Sequence, residues 1–437
     1  MVACSTEKNR LINRSYHGLT AHYNGYFNAN ELINQAVGSY RSSLKEDYYN
    51  LLTLRPVPGD DEVKSMYPAI DTAIAKCTKV ISKHSMPTAS VPSKKKVEYN
   101  AWIDENWMTI GISNFYRRDY EGASKNFKYV KKFFQNDPST YTASIWMAKS
   151  YVEINDLTKA SILIQGLDKD IAELKELEEN KKGIIAKLTS KKKKRSKKKK
   201  KKEEEKAKFS KKSRYLLELT RCEFHLAQKD QEKAIEALQS ALKFCKKSAE
   251  KARVNYVLAQ LLAKNEDTEK AIHHYSKVLR YNAPFEMRFS ARINRAILGG
   301  SDKIKKELEK MLRDDKNAEF KDQIYYALAE IELKAGNKEL GKSLLTKSIL
   351  VSVNNNRQKA MAYERMGDFS YEDRHYVVAQ KYYDSCAKFL TDSYPNAEVI
   401  RNKALKLKDL VVAVETAAYE DSVQRIAAMS EEDRLAY

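Results

Sequence analysis

Apolar residues recur at helical spacing along most of this 437-residue chain, in pairs of segments joined by short polar turns. In one pair, Trp107, Ile110 and Gly111 are followed by Ala123 and Phe127. Two antiparallel helices approach closely only where small residues lie between them, and large residues then fill the remaining space. The pattern therefore predicts a helical hairpin in which Gly111 and Ala123 lie at the contact between the helices.

Five further pairs keep this register, and in all six the small residue of the first helix precedes that of the second by 12 positions. The wider step between the fourth and fifth pairs predicts a degenerate hairpin at about 296–312. The pattern resembles the tetratricopeptide (TPR) repeat and predicts an all-α TPR helical-repeat solenoid. The paired small residues are Gly111 and Ala123, Ala148 and Ala160, Cys222 and Ala234, Ala259 and Ala271, Ala329 and Gly341, and Gly367 and Ala379.

Breaks in the apolar rhythm divide the chain into four predicted parts. Prolines cluster in these breaks, where a missing N–H does not interrupt a helix. The predicted parts are a lipoprotein-like start with a degenerate helical-repeat region at 1–84, a linker at 85–98, the TPR array at 99–395, and a long C-terminal helix with a truncated continuation at 396–437.

The last part is predicted to contain one amphipathic helix over 397–428. After it, Ser430 and the three acids that follow form a helix start signal, since acids suit the first turn. The sequence stops soon afterwards, so we expect the natural protein to continue. The residues of the expected apolar stripe are Leu405, Leu410, Val411 and Val414.

The net charge of +21 comes mainly from one insertion in the array, predicted at 168–212. Residues 181–214 hold 19 Lys and Arg against three Glu, so the other 403 residues carry only +5. We expect an overlong helical hairpin with a like-charged tip that meets solvent, an anionic membrane surface or nucleic acid. The polybasic tip comprises Lys191, Lys192, Lys193, Lys194, Arg195, Lys197, Lys198, Lys199, Lys200, Lys201 and Lys202.

No residue pattern in the sequence carries catalytic chemistry. The glycine-rich loops that hold phosphates are missing, and the seven histidines form neither an H-E-x-x-H motif nor an i, i+4 metal pair. Cys222, Cys245 and Cys386 fall in helical patterns as small core residues, without zinc or disulfide spacing. We therefore expect no enzyme, no cofactor and no metal site.

The resemblance to TPR arrays implies that the first helices of successive hairpins line a concave groove. Such a groove binds a peptide or a protein surface of a partner, or it is filled by another helix of the same chain. The candidate groove residues are Met108, Ile112, Phe115 and Tyr116 in the first hairpin, and Glu364, Asp368, Tyr371 and Glu372 in the last.

The N-terminus carries a second resemblance. Val2, Ala3, Cys4 and Ser5 look like the end of a bacterial lipobox, in which small residues precede an acylated cysteine. The residues after Cys4 resemble the mature start of the TPR lipoprotein of the type IX secretion and gliding-motility apparatus of Bacteroidota, the SprE/PorW type. The matching stretches are 4–9, 14–17, 20, 23–24 and 26–30.

This resemblance implies a scaffold at the periplasmic side of the outer membrane, with lipid attachment at Cys4. Its implied partners are the outer-membrane translocon and the periplasmic ring and motor proteins of the secretion machine, with no nucleic acid. Two or three acyl chains anchor a protein stably without a transmembrane segment. The alternative function is a cytoplasmic TPR adaptor that binds RNA or protein through its polylysine segment.

Overall fold

The computed structural model describes residues 5–87, 98–190, 209–391 and 394–436, without the side chains at 178, 180–190 and 435. The chain forms two compact units, residues 1–267 with 280–283 and residues 268–279 with 284–437. Every regular element in the described ranges is a helix, which confirms the all-α prediction.

The first unit contains α1 (Leu11–Thr20), α2 (Asn28–Ser43), α3 (Tyr67–His84), α4 (Ile103–Tyr116), α5 (Tyr120–Phe133), α6 (Ser139–Glu153), α7 (Leu157–Ser190), α8 (Lys211–Ala227), α9 (Gln231–Phe244) and α10 (Ser248–Lys264). A π-helical segment, Ala21–Phe27, joins α1 to α2. The second unit contains α11 (Thr268–Val278), α12 (Phe285–Leu298), α13 (Asp302–Leu312), α14 (Lys321–Lys334), α15 (Lys338–Val351), α16 (Asn356–Glu372), α17 (Tyr376–Phe389), α18 (Ala397–Ala427) and α19 (Glu431–Ala436). The helices α12 and α13 occupy the place of the predicted degenerate hairpin.

The N-terminal helices share one core with the first hairpin. Helix α2 packs against α3, and α3 packs against α4. Ala21, Ile70 and Phe127 are fully buried in the same hydrophobic cluster, although they lie on both sides of the predicted linker. The ends of that linker are held together, because the Glu98 carboxylate accepts a hydrogen bond of 2.7 Å from the Met86 N–H.

The turns between paired helices repeat one geometry. The Lys229 N–H donates to Leu226 O at 3.0 Å, and the Asp230 N–H donates to His225 O at 2.9 Å. These two bonds form a Schellman closure, which needs a residue in the left-handed region. The Asp230 carboxylate then accepts from the Lys233 N–H and caps the next helix. The left-handed residues of the six turns, with φ between 58° and 86°, are Arg118, Asn155, Lys229, Glu266, Gly336 and Arg374.

The glycines of the hairpins make room for aromatic rings. A Cβ added to Gly111 would overlap the ring of Phe127. A Cβ added to Gly367 would lie 3.0–3.2 Å from three ring atoms of Tyr383. Both rings are fully buried, and each lies one helical turn beyond the alanine predicted to face the glycine. Gly111 and Gly367 in the first helices thus make room for the rings of Phe127 and Tyr383 in the second helices.

The predicted insertion begins as a continuation of a repeat helix. Helix α7 is 34 residues long and packs against α6 and α8. Leu167 is buried with Ile145 and Leu217 in a small cluster, so the start of α7 belongs to the core. The polybasic tip predicted from Lys191 to Lys202 lies outside the described residues.

In the second unit, α18 packs against α17, and the predicted apolar stripe of α18 is largely wrong. Leu405 is 64% exposed, and Leu410 and Val414 are also exposed. The face that packs advances by three or four residues per step, as helical geometry requires. Its buried residues are Ile400, Ala404, Leu407 and Val411.

Replacing Gly111 by alanine should lower the free energy of unfolding by about 1–3 kcal/mol, because the added methyl group overpacks the contact with Phe127. Gly38→Ala is the matched control, since Gly38 lies within α2 with open space around it. Alanine at 38 should raise stability by roughly 0.5–1 kcal/mol, because glycine is a poor helix former. Urea unfolding measures both, and a neutral Gly111→Ala contradicts the packing argument.

Lys229→Gly should raise the free energy of unfolding by up to about 1 kcal/mol. Relief of the left-handed conformation is worth about 1–2 kcal/mol, and the more flexible unfolded chain removes about 0.4–1 kcal/mol of that gain. Gly336→Ala, at the equivalent turn, should have the opposite sign. Thermal unfolding of the two variants tests the pair, and shifts of the same sign would rule out a shared turn geometry.

Candidate binding groove

An extended segment between α2 and α3 crosses the first helices of the hairpins in the first unit. Helix α4 neighbours α6, and α6 neighbours α8. Residues 46–58, here called the strap, reach from α10 to the turn after α4. Alternate strap residues point inward, so one face of an extended chain packs on the helices. The buried residues are Leu52, Leu54, Pro56 and Pro58, and the exposed ones are Leu51 and Thr53.

Helix α10 holds the backbone of the strap. The Gln260 side chain accepts from the Leu52 N–H at 3.0 Å and donates to Asn50 O at 2.7 Å. The Arg253 Nε–H donates to Thr53 O at 2.9 Å. These polar side chains satisfy backbone groups that would otherwise be costly to bury. In the first unit, these helices therefore form a groove that holds the extended backbone of the strap.

Two charged side chains of the strap are largely buried. Glu46 pairs with Arg253 of α10, and Arg55 is held by α8. The Arg55 guanidinium donates to the two Glu223 carboxylate oxygens at 2.6 and 3.2 Å and to Thr220 Oγ1 at 3.0 Å. The Lys149 ammonium of α6 also contacts Glu223, at 3.1 Å, and Glu153, at 2.9 Å. Lys149 is 2% exposed, so the cluster joins the strap, α6 and α8 beneath the surface.

The charges in this cluster stabilise one another. Burial alone would raise the pKa of Glu223, but the cations of Arg55 and Lys149 outweigh burial and hold that pKa below its ordinary value. A buried ion pair contributes little net stability when intact, yet removal of one partner leaves an uncompensated charge. The buried Glu223 carboxylate therefore needs the Arg55 guanidinium as a partner in this structure.

The groove residues predicted on α4 are packed against the same chain. Phe115 is fully buried, with its ring 5.0 Å from that of Trp146, and Met108 is also buried. The Tyr116 hydroxyl lies 3.5 Å from Arg41 Nη2 of α2. Ile112 is partly buried in the same cluster. At these positions the contacts come from elements of the chain itself, which was the alternative to a bound partner.

The groove residues predicted on α16 lie beside α18. Asp368 accepts from the Tyr383 hydroxyl at 2.5 Å and from Lys403 Nζ at 3.1 Å. Lys403 Nζ also lies 5.1 Å from the ring centroid of Tyr371, which is 43% exposed. Glu364 accepts a hydrogen bond of 2.5 Å from the hydroxyl of Tyr394, whereas Glu372 is exposed. Burial raises the pKa of Glu364.

The remaining predicted sites give no further chemistry. Cys4 and the polybasic tip lie outside the described residues. Cys222, Cys245 and Cys386 are buried free thiols, as the helical pattern predicts. Within the described ranges, no cluster of three His, Cys, Asp or Glu side chains could hold a metal ion. None of the described helices is long and apolar enough to span a membrane.

Residues 252–284 match the sequence model of the Tetratricopeptide repeat. The chain contains a TPR repeat. This match lies in the fourth predicted hairpin and ends at Pro284, and with the hairpins described above it confirms the TPR helical-repeat fold. The match covers 33 residues, so it identifies the repeat and leaves the role of the whole chain to other observations.

Solved structures that resemble this chain share little sequence with it. The APC/C hetero-tetramer Cut9-Hcn1 has 13% identity, with a TM-score of 0.34, over 91% of this chain and 57% of that one. A tetratricopeptide repeat protein from Parabacteroides merdae has 13% identity and a TM-score of 0.31, over 75% and 98%. A STAND protein with a tetratricopeptide repeat sensor, from Pyrococcus horikoshii, has 11% identity and a TM-score of 0.36, over 94% and 55%. This chain therefore spans little more than half the length of the first and third. No curated protein matches the sequence.

The strap was not predicted from the sequence, in which residues 46–58 fall within the predicted helical-repeat region at 1–84. Two signals could have found it. Over 52–56, the apolar Leu52, Leu54 and Pro56 alternate with the polar Thr53 and Arg55, which is typical of an extended chain with one buried face. Arg55 within that run is a charge in an otherwise apolar stretch, and such a charge needs a partner.

The ion cluster should make the first unit sensitive to acid. Because the pKa of Glu223 is lowered on folding, its stabilising effect is complete above the unfolded value near 4.5 and is lost as the pH falls through the lower folded value. Glu223→Gln leaves Arg55 without a carboxylate and Lys149 with Glu153 alone, and should cost about 3–5 kcal/mol at pH 7. The difference in the free energy of unfolding between this variant and the unaltered chain should become smaller below pH 4.5.

Urea unfolding between pH 3 and 7 measures this gap. Glu236→Gln is the control, because Glu236 is exposed on α9. A gap for Glu223→Gln that is constant over the whole pH range would contradict the assigned role of the cluster.

Proposed function

We propose that this chain is a lipid-anchored scaffold subunit of the type IX secretion and gliding-motility apparatus. The observation that carries the scaffold part is the TPR fold with its built groove, since TPR surfaces serve protein–protein interaction. The assignment to this machine is supported by the N-terminal resemblance that begins at Cys4.

In this role the chain connects the outer-membrane translocon to the periplasmic ring and motor proteins. A helical-repeat scaffold suits such a task, because each hairpin contributes separate surface to an extended interaction face. No catalytic step is needed from it. The proposed location is the periplasmic side of the outer membrane, with acylated Cys4 as the anchor.

An exposed apolar stripe near the N-terminus supports the lipid-surface location. Its residues follow one another at intervals of three or four, and the nearby Lys8, Arg10 and Arg14 are exposed. Aromatic side chains suit the headgroup level of a bilayer, and basic side chains are attracted to anionic lipids. The exposed members of the stripe are Ile12, Tyr16, Leu19, Tyr23 and Phe27.

A second candidate function is a cytoplasmic TPR adaptor that binds RNA or protein through the polybasic tip. The observation that favours it is the run of lysines from 191 to 202. The run contains no aromatic residue for base stacking, so its affinity for RNA would come from phosphate contacts and fall steeply with salt.

Intact mass of the N-terminal peptide from native membranes separates the two candidates. We expect Cys4 to carry acyl chains, and we expect secretion-machine proteins to co-purify after detergent extraction. An unmodified Cys4 in a soluble chain recovered alone would contradict the proposal. Salt-sensitive RNA binding that disappears when 191–202 are deleted would favour the adaptor.

The stripe on α1 has its own test. In vesicles with anionic lipid, the unacylated chain should bind, and Ile12→Glu with Leu19→Glu should weaken binding by at least about tenfold, because two apolar contacts become charged. Ile162→Glu is the control, since Ile162 on α7 is as exposed as Leu19, at 64%. Equal losses for the stripe and the control would rule out a specific membrane face.

A further inference from the structure

We propose that the strap is an intramolecular ligand of the groove on α8 and α10, and that an extended segment of a partner protein displaces it. This inference rests on the proposed scaffold function and names the chemistry of one partner segment. The segment contains an arginine, aliphatic residues at alternate positions before it, and a proline after it, as the strap does at Leu52, Leu54, Arg55 and Pro56.

The contacts to the strap backbone do not depend on strap sequence. The Gln260 amide uses its oxygen for the Leu52 N–H and its nitrogen for Asn50 O, at 3.0 and 2.7 Å. The Arg253 Nε–H takes Thr53 O. A primary amide can serve one donor and one acceptor at once, so any chain on the same extended course satisfies all three contacts.

The side chains of the strap supply selectivity. The two oxygens of Glu223 receive the Arg55 fork, with donor–acceptor distances of 2.6 and 3.2 Å. This planar, bidentate geometry suits a guanidinium and not an ammonium. Leu52 and Leu54 are 5% and 7% exposed, so two aliphatic side chains enter on the same face. A competing segment therefore needs an arginine in the same register as its aliphatic residues.

The topology permits release of the strap without loss of the flanking helices. Helices α2 and α3 contact each other, and α3 contacts α4. The end of the strap is fixed separately, since Arg118 donates to Pro58 O at 3.1 Å and its Nε lies 2.6 Å from Asp60 Oδ1. Residues 46–55 can lift as a loop between two anchored ends, and closing such a loop costs little extra entropy.

The tether makes the strap a strong competitor. A segment of the same chain acts at an effective concentration in the millimolar range, so a partner segment of equal intrinsic affinity finds the groove closed. Weakening the strap should therefore raise the apparent affinity for an added peptide by removing the competitor. This change separates a displaceable ligand from a permanent part of the core.

The test uses a fluorescent peptide of residues 46–58 and the full chain. Leu52→Asp with Leu54→Asp in the chain weakens the strap, because both side chains are buried. We expect this variant to bind the peptide at least about tenfold more tightly than the unaltered chain does. The matched control is Tyr49→Asp with Leu51→Asp, which adds the same charge at two exposed strap positions and should leave the affinity unchanged.

Two further variants test the chemistry. A peptide with Arg55→Glu should lose binding, and so should the weakened chain with Gln260→Ala added. No peptide binding by a weakened chain that keeps its helical circular dichroism would overturn the proposal. Equal binding of the two peptides would overturn it as well, because the groove would then lack the assigned selectivity.

Hydrogen exchange keeps the proposal testable should the weakened chain fail to fold. In the unaltered chain, millimolar peptide should speed exchange of the Leu52 amide, which is bonded to Gln260 in the strap. Unchanged exchange would overturn displacement. The two proposals can fail separately. If the peptide does not displace the strap but Cys4 is acylated and secretion-machine proteins co-purify, only the strap proposal is contradicted. If the peptide binds but Cys4 is unmodified, only the lipid-anchored role is contradicted.

Discussion

The hairpins that contain Gly111, Gly341 and Gly367 each depend on a glycine that leaves room for a large side chain on the partner helix. At Gly111 even one methyl group would overlap Phe127, so the separation of α4 and α5 is set by the ring and the missing side chain together. At Gly341 the same role falls to an aliphatic side chain, because an added Cβ would lie 2.5 Å from two atoms of Leu333. This contact fixes the pair before any partner is considered, and the shared Schellman turn returns the second helix in register.

The first helices of successive hairpins lie side by side, and the surface that they form carries buried polar groups that need partners. In the first unit the strap supplies them. Glu223 and Lys149 could pair alone, but the second Glu223 oxygen is met by Arg55. Because a charge buried without a partner costs several kcal/mol, this face selects a basic side chain from outside the repeats. The strap is therefore held by specific electrostatics as well as by apolar burial.

The hairpins were predictable because their signal is local. The step of 12 between Ala148 and Ala160, or between Gly367 and Ala379, lies within one pair of helices and one turn. The strap was not predictable in the same way, because Arg55 and Glu223 are 168 residues apart and no repeat spacing connects them. The α18 stripe failed for a related reason. Most faces of that helix carry aliphatic residues, so composition alone does not reveal which one packs on α17.

In the second unit, the first helix of the last hairpin also carries an acidic side chain that pairs with a cation from another element, but this ion pair is more exposed. Lys403 of α18 reaches Asp368 on the first helix of the last hairpin, as Arg55 reaches Glu223 in the first unit. Lys403 and Asp368 are 37% and 34% exposed, whereas Arg55 and Glu223 are 13% and 14% exposed. Solvent screening leaves an exposed pair worth only about 0–1 kcal/mol, so the contact through Lys403 is easily exchanged. An ammonium also lacks the bidentate fork of arginine. Of these two contacts, only the one made by the strap is selective for its cation, because the Arg55–Glu223 pair is buried and the Lys403–Asp368 pair is not.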